Sequence, residues 1–272
     1  LLFEFAKAAI EAEKLGAREV CDLLAISCSS PDYIGHQFGP NSIEVEDTYL
    51  RLDKEIAAFL TYLDTKLGAG NYTCFLTADH GVAHNPQFLK DVKIPAGYFY
   101  SSNLLKELNN ALSIPFKSDR LVKEVGENFI WLQHDLLDSM HVDASDVKKS
   151  IFKTLRLHPE ILYAVDMENI QLSLLPEYIK QMAINGFHST RSGEILLILN
   201  PGWFDAYSTT GTTHGVWNPY DTHIPMLWYG WGIKKGVTRR HVYMTDIAAT
   251  IANLLHIQAP NACIGKCIEE VL

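Results

Sequence analysis

The chain has 272 residues, 47% hydrophobic and 20% charged, an ordinary globular composition with material for one large core or two modest ones. Its net charge of −9 argues against a nucleic-acid binder, because no basic stripe exists to neutralise phosphates. Apolar runs such as GEILLILNPGWF are too short for a transmembrane segment. The five cysteines (Cys21, Cys28, Cys74, Cys263, Cys267) are too few for a disulfide scaffold, and their odd number leaves at least one unpaired within the chain.

The opening LLFEFAKAAIEAEKLG places Phe5, Ala9, Ala12 and Leu15 at helical spacing and closes at Gly16, which predicts an amphipathic helix. It carries no initiator Met, no signal peptide and no capping residue, so the expectation is a chain cut from a longer precursor. Val, Leu and Ile crowd Glu19–Ser27 and predict a buried strand. The next stretch, SSPDYIGHQFGP (Ser29–Pro40), predicts a loop tightly punctuated by Pro31, Gly35, Gly39 and Pro40. Spacings of three and four among Val45, Tyr49, Leu52, Ile56, Phe59, Leu63 and Leu67 predict a long helix over Ile43–Leu67. Asn41 and Glu44 form its capping pair and Gly68 its close. Asn71–Thr77 predicts a short buried strand ending in ADHG, and Val82–Tyr98 a loop-rich stretch.

The texture changes between about Asp119 and Gly186. There FIWLQ predicts a strand, Ser145–Leu155 a helix, ILYAV a strand, and a further helix ends at Ile184-Asn185-Gly186. This predicts an inserted α/β cap over residues 119–186, flanked by two parts of one core, 1–118 and 187–272. The main layer is expected to resume with GEILLILNPGWF (Gly193–Phe204). A Gly- and Thr-rich loop, the strand IPMLWYG and a last helix from near Thr245 follow. Strands alternating with helices argue an α/β layered fold.

Three places set acid beside His at a strand end or in a Gly-rich loop: Asp32 with His36, Asp79 with His80, and His214 with Asp221 and His223. In open α/β sheets, ligands gather beyond the carboxyl ends of strands. Each place also has a bland reading. Asp32 after Pro31 can cap a turn, Asp79-His80 can be a plain turn, and a His between Thr213 and Gly215 is by itself more often structural. Neighbours on a strand face opposite ways, so Asp79 and His80 reach one ion only if the backbone turns, which Gly81 permits. Together the places say more. Carboxylate and imidazole suit a borderline ion such as Zn²⁺, and a catalytic zinc keeps three protein ligands plus an open position. Asp32, His36 and His214 make such a set. Asp79 and His80 begin a second, and a pair of ions about 4 Å apart is the usual clamp for displacement at phosphorus.

D-Y-I-G-H, T-A-D-H-G and T-H-G, in that order, resemble the alkaline phosphatase superfamily, in particular its bacterial type I phosphodiesterase/nucleotide pyrophosphatase-like alkaline phosphatases. KIPAGYF, RSGEI…PGWF, YDTHIP, MTDIAATIANLL and PNACIGK extend the resemblance over nearly the whole chain from Leu15. It implies an alkaline phosphatase-like layered sheet with helices on both faces and an inserted cap. It further implies two Zn²⁺, one held by Asp32, His36 and His214 and the other by Asp79 and His80. A Thr or Ser nucleophile would attack the phosphate ester substrate to form a phospho-enzyme that water then hydrolyses. The resemblance places that nucleophile, and a further Asp ligand of the second ion, upstream of this chain, which makes the chain the C-terminal portion of the fold. An N-terminal segment of the same precursor, or a homodimer, would then cover an open sheet edge. A periplasmic or secreted location is implied too. Phosphate monoesters are the expected substrates. A phosphodiesterase or nucleotide pyrophosphatase with the same metals is the alternative, a sulfatase fits less well, and a metal-binding remnant without catalysis is the reading from outside enzymology.

Overall fold

The computed structural model describes residues 1–206 and 209–272, so the Gly- and Thr-rich loop expected after Phe204 lies partly outside the described residues. In chain order the elements are helices α1 (Leu2–Glu13), α2 (Ser30–Phe38) and α3 (Ile43–Leu67), strand β1 (Thr73–Thr77), helix α4 (Pro86–Asp91), strand β2 (Gly97–Phe99) and helix α5 (Ser101–Phe116). Strands β3 (Val122–Gly126) and β4 (Phe129–Leu132) lead to helices α6 (His134–Met140) and α7 (Ala144–Leu155). Strand β5 (Ile161–Asp166) follows, then a 3-10 turn over Met167–Leu172 and helix α8 (Glu177–Gly186). Strands β6 (Ile195–Leu199) and β7 (Trp203–Asp205), helix α9 (Pro219–Thr222), strand β8 (Met226–Gly230) and helix α10 (Asp246–Leu254) complete the chain before a last 3-10 turn at Glu269–Val271. No helix among the described residues is long and apolar enough to cross a membrane.

The chain divides into two compact units. The first comprises Leu1–Asp32, Glu46–Asp79 and Ile224–Leu272. Its core forms because α1 turns Phe3, Ala6 and Ile10 onto Leu52, Ile56, Phe59 and Leu63 of α3, the face that the spacing of three and four predicts. The Phe3 and Phe59 rings meet at a tilt of 46° with centroids 5.3 Å apart, while Lys66 and Tyr62 close the rim by binding the Glu11 carboxylate. Within the same unit β1 pairs antiparallel with β8, Leu76 opposite Leu227 and Cys74 opposite Tyr229. Leu76, Leu227 and Tyr229 are exposed.

The second unit comprises Tyr33–Val45 and His80–His223. Its main sheet is antiparallel in the order β3-β4-β6-β5, and β2 pairs separately and in parallel with β7. Every residue of β6, ILLIL, is buried. Ile195, Leu197 and Leu199 point to one face, where α5 and α7 bring Leu104, Leu108, Leu112, Val147, Ile151 and Leu155. Leu196 and Ile198 point to the other, where Ile170, Ile179 and Ala183 pack. Helices therefore cover both faces of this sheet, and truncating Leu197 to Ala would cost about 2–5 kcal/mol.

Several sequence expectations change, beginning with α1, which buries Phe3, Ala6 and Ile10 and leaves Phe5 and Ala12 of the expected face exposed. Glu19–Ser27 forms no strand, and Val20, Leu23 and Leu24 are exposed. Its composition suits a strand, but among the described residues it pairs with no strand in a ladder. Ser29–Pro40 is mostly helix rather than loop. Pro31 falls in the first turn of α2, where a missing N–H costs nothing, and Gly35 meets no neighbour that a side chain would displace. The cap of α3 comes from Ser42, whose Oγ accepts the Val45 N–H at 3.3 Å, while Asn41 engages His84 instead. Strand β6, expected to resume the main layer, joins the same sheet as β3, β4 and β5 of the 119–186 region. Continuous burial on two faces marks a central strand without saying of which sheet.

Candidate metal centre

Helix α2 explains the first pair of candidates. Asp32 and His36 stand one turn apart on one helix, so their side chains emerge on the same face. Gly39 ends the helix with φ +84° and donates its N–H to the Gly35 carbonyl at 2.8 Å. Segment 211–214 then docks onto the C-terminal end of this helix. The Thr212 N–H donates to the His36 carbonyl at 3.0 Å, and His36 Nδ1 lies 2.9 Å from the Thr212 carbonyl. Gly211 is required there, since its φ is +75° and a Cβ would meet the His36 oxygen at 2.0 Å. Asn85 holds the Gly211 carbonyl at 2.7 Å, and the buried Thr212 hydroxyl donates to the Ala83 carbonyl.

This docking brings His214 to the helix. One carboxylate oxygen of Asp32 and one ring nitrogen each of His36 and His214 all lie within 4.8 Å of one another, and the residues are half-buried. Donors bound at 2.0–2.2 Å around a tetrahedral zinc stand about 3.3–3.5 Å apart, so small side-chain movements convert this cluster into a ligand set. With Nδ1 of His36 donating to a carbonyl, its Nε2 keeps the lone pair, the usual arrangement behind a metal-bound imidazole. The donor set fits Zn²⁺.

Strand β1 delivers the second pair. Its ladder ends at Thr77, and the chain bends at Asp79, as two adjacent ligands need. Gly81 serves through close approach, not through a left-handed backbone. A Cβ there would lie 2.1 Å from the Tyr220 carbonyl oxygen. His80 Nδ1 sits 2.8 Å from the Gly81 carbonyl, and the His80 ring stacks on His214 with centroids 3.4 Å apart. Asp79 and His80 form no second group of three metal-ligating side chains among the described residues.

Of the third trio, His223 is exposed at the end of α9. Asp221 is 3% exposed, with Oδ2 accepting the Val216 N–H at 2.8 Å. Burial pushes its carboxyl up, while the N–H groups of Val216 and Gly215 and the charge of His214 and His80 pull the other way. The acid-plus-His pattern flags this residue but assigns it no role, because its burial is a tertiary property.

The sequence model of the family described as type I phosphodiesterase / nucleotide pyrophosphatase matches residues 3–221. Alkaline phosphatase PafA of Elizabethkingia meningoseptica is 43% identical over 272 residues, covering 100% of this chain and 50% of its own length. Alkaline phosphatase PhoV of Synechococcus elongatus is 47% identical over 272 residues, covering 99% and 48%. A Myroides odoratus protein named calcium-transporting ATPase is also 47% identical, over 275 residues, at 100% and 50%. The chain thus spans about half the length of the curated relatives it matches. The crystal structure of wild-type PafA superposes with a TM-score of 0.95 at 43% identity, covering 99% of this chain and 51% of that one. Murine ectonucleotide pyrophosphatase / phosphodiesterase 5 shares the fold alone, with a TM-score of 0.63 at 17% identity over 96% of this chain and 61% of that one. The mixed α/β architecture is that of PafA, and the chain belongs to the type I phosphodiesterase / nucleotide pyrophosphatase family of the alkaline phosphatase superfamily.

Proposed function

We propose that this chain contributes the metal-binding half of a two-zinc hydrolase of phosphate monoesters. The observation that carries the reading is the convergence of Asp32, His36 and His214, from two distant stretches of sequence, into one group of donors within 4.8 Å. Bound there and beside Asp79 and His80, zinc ions would offset the charge of the leaving oxygen and acidify the attacking hydroxyl. The chain's own residues prepare for this. His36 and His80 each spend Nδ1 on a backbone carbonyl, which fixes their rings and keeps Nε2 as the donor. Asp32 supplies the carboxylate that partly offsets the charge of an ion.

The nucleophile in this reading is a Thr or Ser on an upstream segment of the same polypeptide, where a further carboxylate completes the second ion's ligands. A periplasmic or secreted location goes with it. Relatives at 43% and 47% identity named alkaline phosphatases favour monoesters, while the family's own description keeps diesters as the second reading. Comparing kcat/KM for p-nitrophenyl phosphate and bis-p-nitrophenyl phosphate on the natural-length protein decides between them. A faster monoester supports the reading, and a diester preference replaces it.

A further inference from the structure

We infer that Asp221 is a positioning residue that holds the His214 turn against the loop carrying His80, so that the two imidazoles meet. The inference rests on the metal-binding reading above. Asp221 is a carboxylate that is 3% exposed, an expensive placement unless it is bonded or put to use. It touches both loops by different atoms. Its side-chain Oδ2 accepts the Val216 N–H at 2.8 Å, two residues beyond His214. Its backbone carbonyl accepts the Gly81 N–H at 2.6 Å, one residue beyond His80.

The neighbouring bonds extend the same seam, with Val82 donating to the Tyr220 carbonyl at 3.0 Å and Ala83 to the Thr213 carbonyl at 3.2 Å. Gly81 leaves no slack, since any Cβ there would collide with the Tyr220 carbonyl. Packing does not account for the carboxylate as a whole. Among the described residues no hydrogen-bond partner meets its buried Oδ1, whereas buried polar atoms of purely structural carboxylates are normally bonded. A buried acid that bridges the loops of two candidate ligands matches the outer groups that orient metal-binding histidines.

The test uses the natural-length protein and four variants: Asp221→Ala, Asp221→Asn, His214→Ala and the Asp221→Ala/His214→Ala double variant. Zinc affinity is read by competition with a chromophoric chelator, and folding by circular dichroism. Asp221→Ala is expected to weaken zinc binding about 10–100-fold with secondary structure retained. Asp221→Asn, which keeps an oxygen for the Val216 N–H, is expected to recover most of that loss. In the His214→Ala background, Asp221→Ala should cost clearly less than it does alone, because much of its effect passes through His214. If Asp221→Ala does not fold, Asp221→Ser, too short to reach Val216, takes its place. Unchanged affinity in the folded variant, a cost that adds in full to His214→Ala, or an Asn variant as weak as Ala overturns the inference. Zinc binding unaffected by His214→Ala sinks the metal reading itself and this inference with it, whereas a loss confined to His214→Ala sinks the inference alone.

Discussion

The imidazoles of His80 and His214 lie face to face, 3.4 Å between centroids and 14° from parallel. His36 approaches the same ring at 5.0 Å and 47°. One histidine from the end of a strand, one from a helix and one from a loop therefore share a single small space. The position of each ring depends on the backbone that carries the others.

That dependence can be tested at Gly81. Gly81→Ala would push a methyl into the Tyr220 carbonyl, which is backbone and cannot swing away. The expected result is a stability loss of about 1–3 kcal/mol, the range for overpacking, with weakened zinc binding as His80 leaves the stack. Gly236→Ala is the control, because a Cβ there meets nothing within 4 Å. A Gly81→Ala protein with unaltered melting temperature and zinc affinity would refute the close-approach account.

A pH dependence follows from His158. Burial works against its charge, but Glu160 at 2.9 Å and Glu107 at 3.2 Å prevail and raise its pKa above the ordinary imidazole value. Because the folded value is the higher one, the stabilisation is full below the unfolded pKa of about 6.5 and fades as pH rises through the folded value. The melting temperature of wild type should exceed that of His158→Gln by about 1–3 °C at acid pH, and the gap should close under alkaline conditions. A gap that stays constant with pH would show that His158 acts by packing alone.

The 272 residues taken alone should turn over p-nitrophenyl phosphate several orders of magnitude more slowly than the natural-length polypeptide, with zinc supplied to both. In the proposed two-ion reading, Asp79 and His80 would offer two donors to an ion that wants about four. The β1–β8 pair also leaves Leu76, Leu227 and Tyr229 exposed, and an isolated two-stranded ladder is marginal in water. Phosphate release at comparable rates would mean that a Thr or Ser within this chain is the nucleophile.

Periodicity made much of the fold legible. Helix α3 occupies Ile43–Leu67 as its apolar spacing predicts, and β4, α7, β5, α8 and β8 fall on their predicted segments. What escaped was set by partners and context. Hydrophobic content in Glu19–Ser27 signals a wish for burial, but a strand exists only where another supplies its hydrogen bonds. Glycine and proline in Ser29–Pro40 signal a turn, yet a proline in the first turn and a glycine at the end are also how helices are bounded. At the candidate site, residue types and order pointed to Asp32, His36 and His214. The supporting contacts of Gly211, Asn85 and Asp221 could not be read the same way, because they join segments far apart in the chain.

Strand β6 offers apolar side chains to both of its faces, and this has an effect on alignment. A half-buried strand that slips by one residue exposes its greasy side and is corrected by water. ILLIL would show leucine and isoleucine to both cores after such a slip, so its own composition cannot veto the error. The veto comes from residues just outside it. At Gly193 a Cβ would stand 2.4 Å from the Ile130 carbonyl, and Glu194 grips the Leu132 N–H with its side chain and the Met167 N–H with its backbone oxygen, both at 2.9 Å. The instruction that seats this strand is written in a glycine and a glutamate ahead of it, so a substitution there can misalign five residues it leaves chemically untouched.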